Sequence, residues 1–302
     1  MTWGQDASVD AASRTVGIAP LGNGAGYWEA EADGTVGAFG AAQNYGSLTG
    51  QLNSPIVGIA ATPDGDGYWL VASDGGIFSF GDAKFYGSTG SLRLNEPIVG
   101  MASTPDGKGY WMVASDGGIF SFGDAPFYGS RGGSPLNEPI VGIADDPATG
   151  GYWEVASDGG VFSYDAPFLG STGGIHLNKP IVGMEASPNG QGYRFVASDG
   201  GIFSYNAPFL GSTGGIHLNK PIVGMEASPN GQGYRFVASD GGVFAFGQAP
   251  FDGSTGSLSL VAPVVGMAPD NATNGYWMAA ADGGIFTFGG ASYLGRLVSQ
   301  LG

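Results

Sequence analysis

The sequence contains no cysteine and only two histidines in 302 residues. Disulfides, thiolate nucleophiles and thiolate metal sites are thereby excluded, and redox chemistry says nothing about compartment. Cations are also scarce: ten Lys and Arg stand against 26 Asp and Glu, a formal net charge of −16. Such a surface suits nucleic acid poorly, because phosphate neutralisation requires a basic face. It suits an anionic membrane no better, since there is no basic amphipathic helix. No apolar run is long enough to cross a membrane, and no stretch holds a helical period. The opening Met1-Thr2-Trp3 leads into neither a charged n-region nor an apolar h-region, so the chain reads as cytosolic or as a module of a larger secreted protein.

Glycine is in excess, at 59 residues against a typical ~7% of a chain. It is distributed as punctuation. Gly-Tyr recurs seven times, at Gly26, Gly67, Gly109, Gly151, Gly192, Gly233 and Gly275, with spacings of 41, 42, 42, 41, 41 and 42 residues. A period that regular means one supersecondary unit repeated seven times. The unit Pro97–Glu138 divides at turn signals into four short runs: Ile98 to Ala102, Tyr110 to Ala114, Ile119 to Phe122, and Phe127-Tyr128. The runs are β-branched and aromatic, and Asp-Gly, Gly and Pro separate them, which predicts strands joined by tight turns. Four strands per unit is the blade of a propeller. The predicted fold is therefore all-β: a closed seven-bladed β-propeller, four antiparallel strands per blade, about 41–42 residues per repeat, forming one domain over residues 1–302. Trp3-Gly4 stands relative to the first Val-Gly-Ile as Tyr45-Gly46 does to the second, so residues 1–12 read either as a ring-closing strap or as a frayed terminus. A solenoid is the rival, but it wants atypical capping repeats, whereas the worn terminal repeats here keep every strand.

The pattern GYWxVASDGGIFSFGDAxFYGS…LNxPIVGxAxxPDGxGYW spans essentially the whole chain. It resembles a repeat of secreted and cell-surface actinobacterial proteins that often stands beside peptidoglycan hydrolase or amidase domains. Its Pro-Ile-Val-Gly and Pro-Asp-Gly-x-Gly-Tyr stretch also looks like the first hairpin of NHL-type propellers. The resemblance implies an extracellular or cell-surface location and an accessory binding role, and it brings no catalytic residues. Repeats five and six depart from the pattern: Arg194 and Arg235 replace the tryptophan of Trp28, Trp69, Trp111, Trp153 and Trp277.

If the Val-Gly-Ile-Ala strand lines the axis as in NHL-like blades, the Asp-Gly-Gly turns and the inter-blade linkers share one face of the ring. That face carries Asp74, Asp116, Asp158, Asp199, Asp240 and Asp282, with linker residues Asn53, Asn95, Asn137, Asn178 and Asn219. Asp and Asn beside an aromatic ring hold a sugar through bidentate hydrogen bonds to vicinal hydroxyls and stacking on the apolar sugar face, with Trp69, Trp111, Trp153 and Trp277 as the candidate aromatics. The same Asp and Asn are also ordinary turn residues. The expected function is a non-catalytic, multivalent carbohydrate-binding module for cell-wall or surface glycan; the alternative is a protein-interaction scaffold or spacer of a larger secreted protein. Neither nucleic acid nor membrane insertion is expected.

No catalytic residue, cofactor or metal site is predicted. There is no Gly-x-Ser-x-Gly elbow, and no carboxylate pair stands out from the sevenfold background. His176 and His217 occupy equivalent linker positions and have no evident third ligand. Asp64-Gly65-Asp66 reads as a turn, because other repeats do not keep its carboxylates. With Lys179 and Lys220, the two histidines make repeats five and six the most basic part of the ring, a sector suited to an anionic group. The 36 residues Ala166–Gly201 recur identically as Ala207–Gly242, so duplication also explains the pair. Arg194 and Arg235 need carboxylates if buried, and Glu185 and Glu226 occur in just these repeats, which predicts Arg–Glu pairs.

Overall fold

The structure is a computed structural model that describes residues 11, 13–48, 50–228 and 231–297. The Trp3-Gly4 segment lies outside the described residues.

Seven three-stranded antiparallel sheets account for all the regular structure described. Sheet 1 comprises Thr15–Pro20, Gly26–Glu31 and Val36–Gly40; sheet 2, Ile56–Ala61, Gly67–Ala72 and Ile77–Gly81; sheet 3, Ile98–Ser103, Gly109–Ala114 and Ile119–Gly123. Sheet 4 comprises Ile140–Asp145, Tyr152–Ala156 and Val161–Tyr164; sheet 5, Ile181–Ala186, Tyr193–Ala197 and Ile202–Tyr205. Sheet 6 holds Ile222–Ala227, Gly233–Ala238 and Val243–Gly247, and sheet 7 holds Val264–Pro269, Tyr276–Ala280 and Ile285–Phe288. Each runs in sequence order with its second strand central. The first strands of successive sheets touch, and that of sheet 7 touches that of sheet 1. The arrangement is compatible with a seven-bladed propeller.

The expected fourth strand does not form a ladder, and the reason lies in where its backbone groups go. Pro126 has no N–H, and its carbonyl accepts from Trp111 Nε1 at 2.8 Å. The Tyr128 N–H donates to Tyr152 Oη at 3.1 Å, and that hydroxyl donates to the Gly129 carbonyl at 2.7 Å. Side chains thus satisfy the groups a fourth strand would have presented.

Both faces of a sheet lie against neighbouring sheets, so the central strands bury every residue rather than every second one: Gly67–Ala72 and Gly109–Ala114 have no exposed position. The packing unit is a Trp from one sheet against the Tyr of the next: Trp28–Tyr68 at 5.3 Å, Trp69–Tyr110 at 5.8 Å, Trp111–Tyr152 at 5.7 Å and Trp153–Tyr193 at 5.3 Å between ring centroids. Trp277 of sheet 7 meets Tyr27 of sheet 1 in the same way, at 5.3 Å. These tyrosines, and Tyr234 and Tyr276 at the same place in sheets 6 and 7, each clamp the outer segment of the preceding sheet through the hydroxyl. Tyr193, Tyr234 and Tyr276 donate to Gly170, Gly211 and Gly253 carbonyls at 2.6–2.7 Å, and Tyr27 donates to that of Gly295 at 2.6 Å. In sheet 3 the Tyr110 hydroxyl also receives the Tyr86 and Gly87 N–H groups, each at 3.2 Å. Tyr110→Phe leaves these groups without their partner and should cost about 1–2 kcal/mol of stability in chemical denaturation; an unchanged midpoint would show that the clamp is idle.

Candidate functional site

The Asp-Gly-Gly turns share one construction. The Oδ1 atoms of Asp74, Asp116, Asp158, Asp199, Asp240 and Asp282 accept from the N–H two residues on, at 2.8–3.1 Å. All six aspartates are half-buried. The following glycine must be glycine: Gly75 has φ +77°, and a Cβ there would fall 1.8 Å from Thr89 Oγ1. That threonine belongs to the linker leaving the sheet; its N–H donates to the Gly75 carbonyl at 3.0 Å and its hydroxyl to the Asp74 carbonyl at 3.2 Å. Thr172, Thr213 and Thr255 repeat the contact. The linker entering the sheet is tied on as well: the Ser115, Ser157 and Ser239 N–H groups donate to the Pro97, Pro139 and Pro221 carbonyls at 2.9 Å. Every such turn therefore lies between two linkers, so turns and linkers do share a face.

Two open cavities lie on this face. One, of about 210 Å³, gathers Asn137, Glu138, Asp158, Phe162 and Phe168 at sheet 4. The other, of about 280 Å³, gathers His217, Asn219, Lys220, Asp240 and Phe244 at sheet 6. The structure thus brings Asn137 to Asp158 and Asn219 to Asp240. Asn95 and Asn178 are exposed on their own linkers, entering the sheets that carry Asp116 and Asp199. The cavities fall below the ~300 Å³ of a drug-sized pocket.

The tryptophans lie elsewhere. Trp69, Trp111, Trp153 and Trp277 are at most 1% exposed and spend their indole N–H groups on the Lys84, Pro126, Pro167 and Ser292 carbonyls. None offers a ring face, so the expectation that they stack on a ligand is corrected: they are inter-sheet core. Besides Tyr128, 42% exposed, the aromatics among the described residues that reach solvent are Phe85, Phe127, Phe168, Phe209, Phe251 and Tyr293, each 58–62% exposed. They occupy one place in six successive repeats, just beyond the third strand. In the sequence each opens the fourth run of its repeat, which the structure leaves outside the sheets.

The predicted Arg–Glu pairs form within sheets 5 and 6. Arg194 Nη1 lies 3.0 Å from Glu185 Oε1, and Arg235 Nη1 pairs with Glu226 Oε1. Each pair faces across adjacent strands, Glu185 opposite Arg194 and Glu226 opposite Arg235. The arginines also copy what the tryptophans do. Their Nε atoms donate to the Pro208 and Pro250 carbonyls at 3.0 and 2.8 Å, and their guanidiniums lie 5.3 and 4.7 Å from the Tyr234 and Tyr276 ring centroids. Burial pushes the Glu185 and Glu226 carboxyls up, to about 7, against the pull of their arginines.

Sequence reading passed over Glu154. It is fully buried where sheets 2, 3 and 7 carry Leu70, Met112 and Met278, and neither carboxyl oxygen has a hydrogen-bond partner. Burial pushes it up to about 8, with nearby Arg131 pulling it down and Asp116 adding to the rise.

His176 and His217 are exposed on their linkers. Among the described residues, no group of three or more His, Cys, Asp or Glu is placed to hold a metal ion, and no helix is long and apolar enough to cross a membrane. No family model matches the chain, and no curated protein matches it.

Proposed function

We propose that the chain is a closed seven-bladed β-propeller acting as a non-catalytic, multivalent carbohydrate-binding module for cell-wall or surface glycan. The closed ring is favoured by the Trp277–Tyr27 and Tyr27–Gly295 contacts, which treat sheets 7 and 1 as neighbours like any others. The observation that carries the function is the recurrence of one cavity: Asn137 with Asp158, and Asn219 with Asp240, each beside a phenylalanine. Asp Oδ1 is committed to the turn, so the other carboxylate oxygen and the Asn amide are the groups for vicinal hydroxyls. Exposed Phe168 at the rim of the first cavity supplies the apolar face that a sugar stacks on. Weak equivalent sites around one ring combine by avidity on a repetitive polymer, which fits the repeat's resemblance to modules of secreted wall-associated proteins.

The test is retention on purified cell wall and insoluble polysaccharides, followed by calorimetry with fragments of any polymer that retains the chain. More than one small saccharide per chain is expected, with a stoichiometry that falls when Asn137→Ala and Phe168→Ala are combined. Each substitution is at the surface, so the fold should be unaffected. Retention on no glycan would leave the scaffold reading. The exposed aromatic in six repeats favours that alternative, since such rings also serve as anchors for a protein partner.

A further inference from the structure

The two cavities are the same site built twice. Ten positions of the two linings correspond, offset by 82 residues (83 for the last two), and nine hold identical residues. The tenth is Glu138 in the sheet 4 cavity and Lys220 in that of sheet 6, a reversal of charge on an otherwise constant frame. The sheet 6 cavity adds His217, where the sheet 4 linker has Pro135. The linker into sheet 5 repeats the basic version, with His176 and Lys179 ahead of Asp199; that into sheet 3 repeats the acidic one, with Glu96 ahead of Asp116.

We infer that the ring carries two saccharide specificities: the sites of sheets 5 and 6 take a sugar bearing an anionic group, whereas those of sheets 3 and 4 refuse it. This rests on the carbohydrate reading above and adds the class of sugar to it. The division of labour within a cavity follows from its elements. The turn supplies Asp240, which accepts from hydroxyls; the linker supplies Lys220, whose ammonium meets an anion attached elsewhere on the ring. With Glu138 in that place, a carboxylate would face a carboxylate. The formal −16 of the whole chain does not override this, because charges beyond a Debye length of about 8 Å are screened at physiological salt. A lip charge within a few ångströms of the bound ring acts inside that length. Cations are also few enough for their placement to matter. Of the ten, Arg194 and Arg235 are buried in ion pairs, and two of the four lysines are Lys179 and Lys220.

The anion has two sources, a uronate carboxylate and a sugar phosphate, and the probes separate them. Calorimetry on the full chain would use matched pairs at low salt: galacturonate and glucuronate oligomers against the neutral galactose and glucose oligomers, with glucose 6-phosphate against glucose. The expected result is a preference of roughly fivefold for the anionic member, reduced at high salt, as an exposed ion pair should give. Preference for the oligouronates alone would identify the carboxylate, and for the phosphate alone the phosphate. Lys179→Glu with Lys220→Glu should abolish the preference while leaving the neutral oligomers bound, and Glu138→Lys should add one anionic site per chain. Equal binding of both members, or a preference untouched by the lysine substitutions, overturns the inference and leaves the carbohydrate reading standing. Binding of neither member of any pair overturns both.

Discussion

Arg235→Ala is expected to lower the stability of the fold by about 3–5 kcal/mol, the usual cost of removing one partner from a buried ion pair. A single side chain here holds four contacts: the Glu226 carboxylate, the Pro250 carbonyl at 2.8 Å, the Asn274 carbonyl at 2.6 Å and the Tyr276 ring. Truncation leaves Glu226 buried without its cation and opens a gap against sheet 7. The informative control is a pair of substitutions. In five other sheets the position opposite the tryptophan is alanine: Ala19–Trp28, Ala60–Trp69, Ala102–Trp111, Ala144–Trp153 and Ala268–Trp277. Glu226→Ala with Arg235→Trp recreates that arrangement, and replacing a buried ion pair by apolar residues of similar volume is often neutral or stabilising by about 1–4 kcal/mol. Urea denaturation of the single and double variants decides the matter. A double variant as damaged as the single one would mean that sheet 6 needs the charges for a reason packing does not supply.

The second large effect has the opposite sign. Glu154→Met should stabilise the protein, by roughly 3 kcal/mol at pH 7. The carboxyl ionises near 4.5 when exposed and near 8 in the fold. Below pH 4.5 both states hold the proton, and the group costs nothing through its charge. Between 4.5 and 8 the unfolded chain gives up its proton while the folded one keeps it, so stability falls steadily as pH rises. Methionine removes that slope and restores the residue that sheets 3 and 7 already use at this position. The gain should therefore be small at pH 4.5 and should grow to its full size by pH 8. A gain independent of pH would mean that the carboxyl is not held neutral. Glu29, Glu185 and Glu226, each raised to about 7 by burial, push the wild-type stability in the same direction.

Sequence reading reached the sevenfold repeat and its first three strands, the placement of turns beside linkers and the Arg–Glu pairs, because each follows from local chemistry: Asp-Gly turns, Gly-Tyr periodicity, and a charge that appears only with its partner. It overcounted strands at Phe127-Tyr128, where residue types favour β structure but Pro126 and the tyrosine hydroxyl of the next sheet take the backbone elsewhere. The Asp and Asn of the candidate site were legible, since spacing fixes which linker meets which turn. Its aromatics were not. Tryptophan is the larger ring and occupies a strand, and strand residues in this stack are buried on both faces, whereas the modest Phe168 stands where nothing covers it. Glu154 escaped notice because a glutamate among apolar strand residues looks like the solvent face of an edge strand, and its sheet has no such face.

Six of the tyrosine clamps join residues 22 or 23 apart in sequence, and the seventh, Tyr27 to Gly295, joins residues 268 apart. Six close within about half a repeat, whereas the last joins sheet 1 to the segment beyond sheet 7. Closing that longer loop costs about 2 kcal/mol more in chain entropy for the same contact. The seven clamps repeat one hydroxyl-to-carbonyl contact, but the one between sheets 7 and 1 carries the largest loop-closure cost, so it is expected to form last in folding.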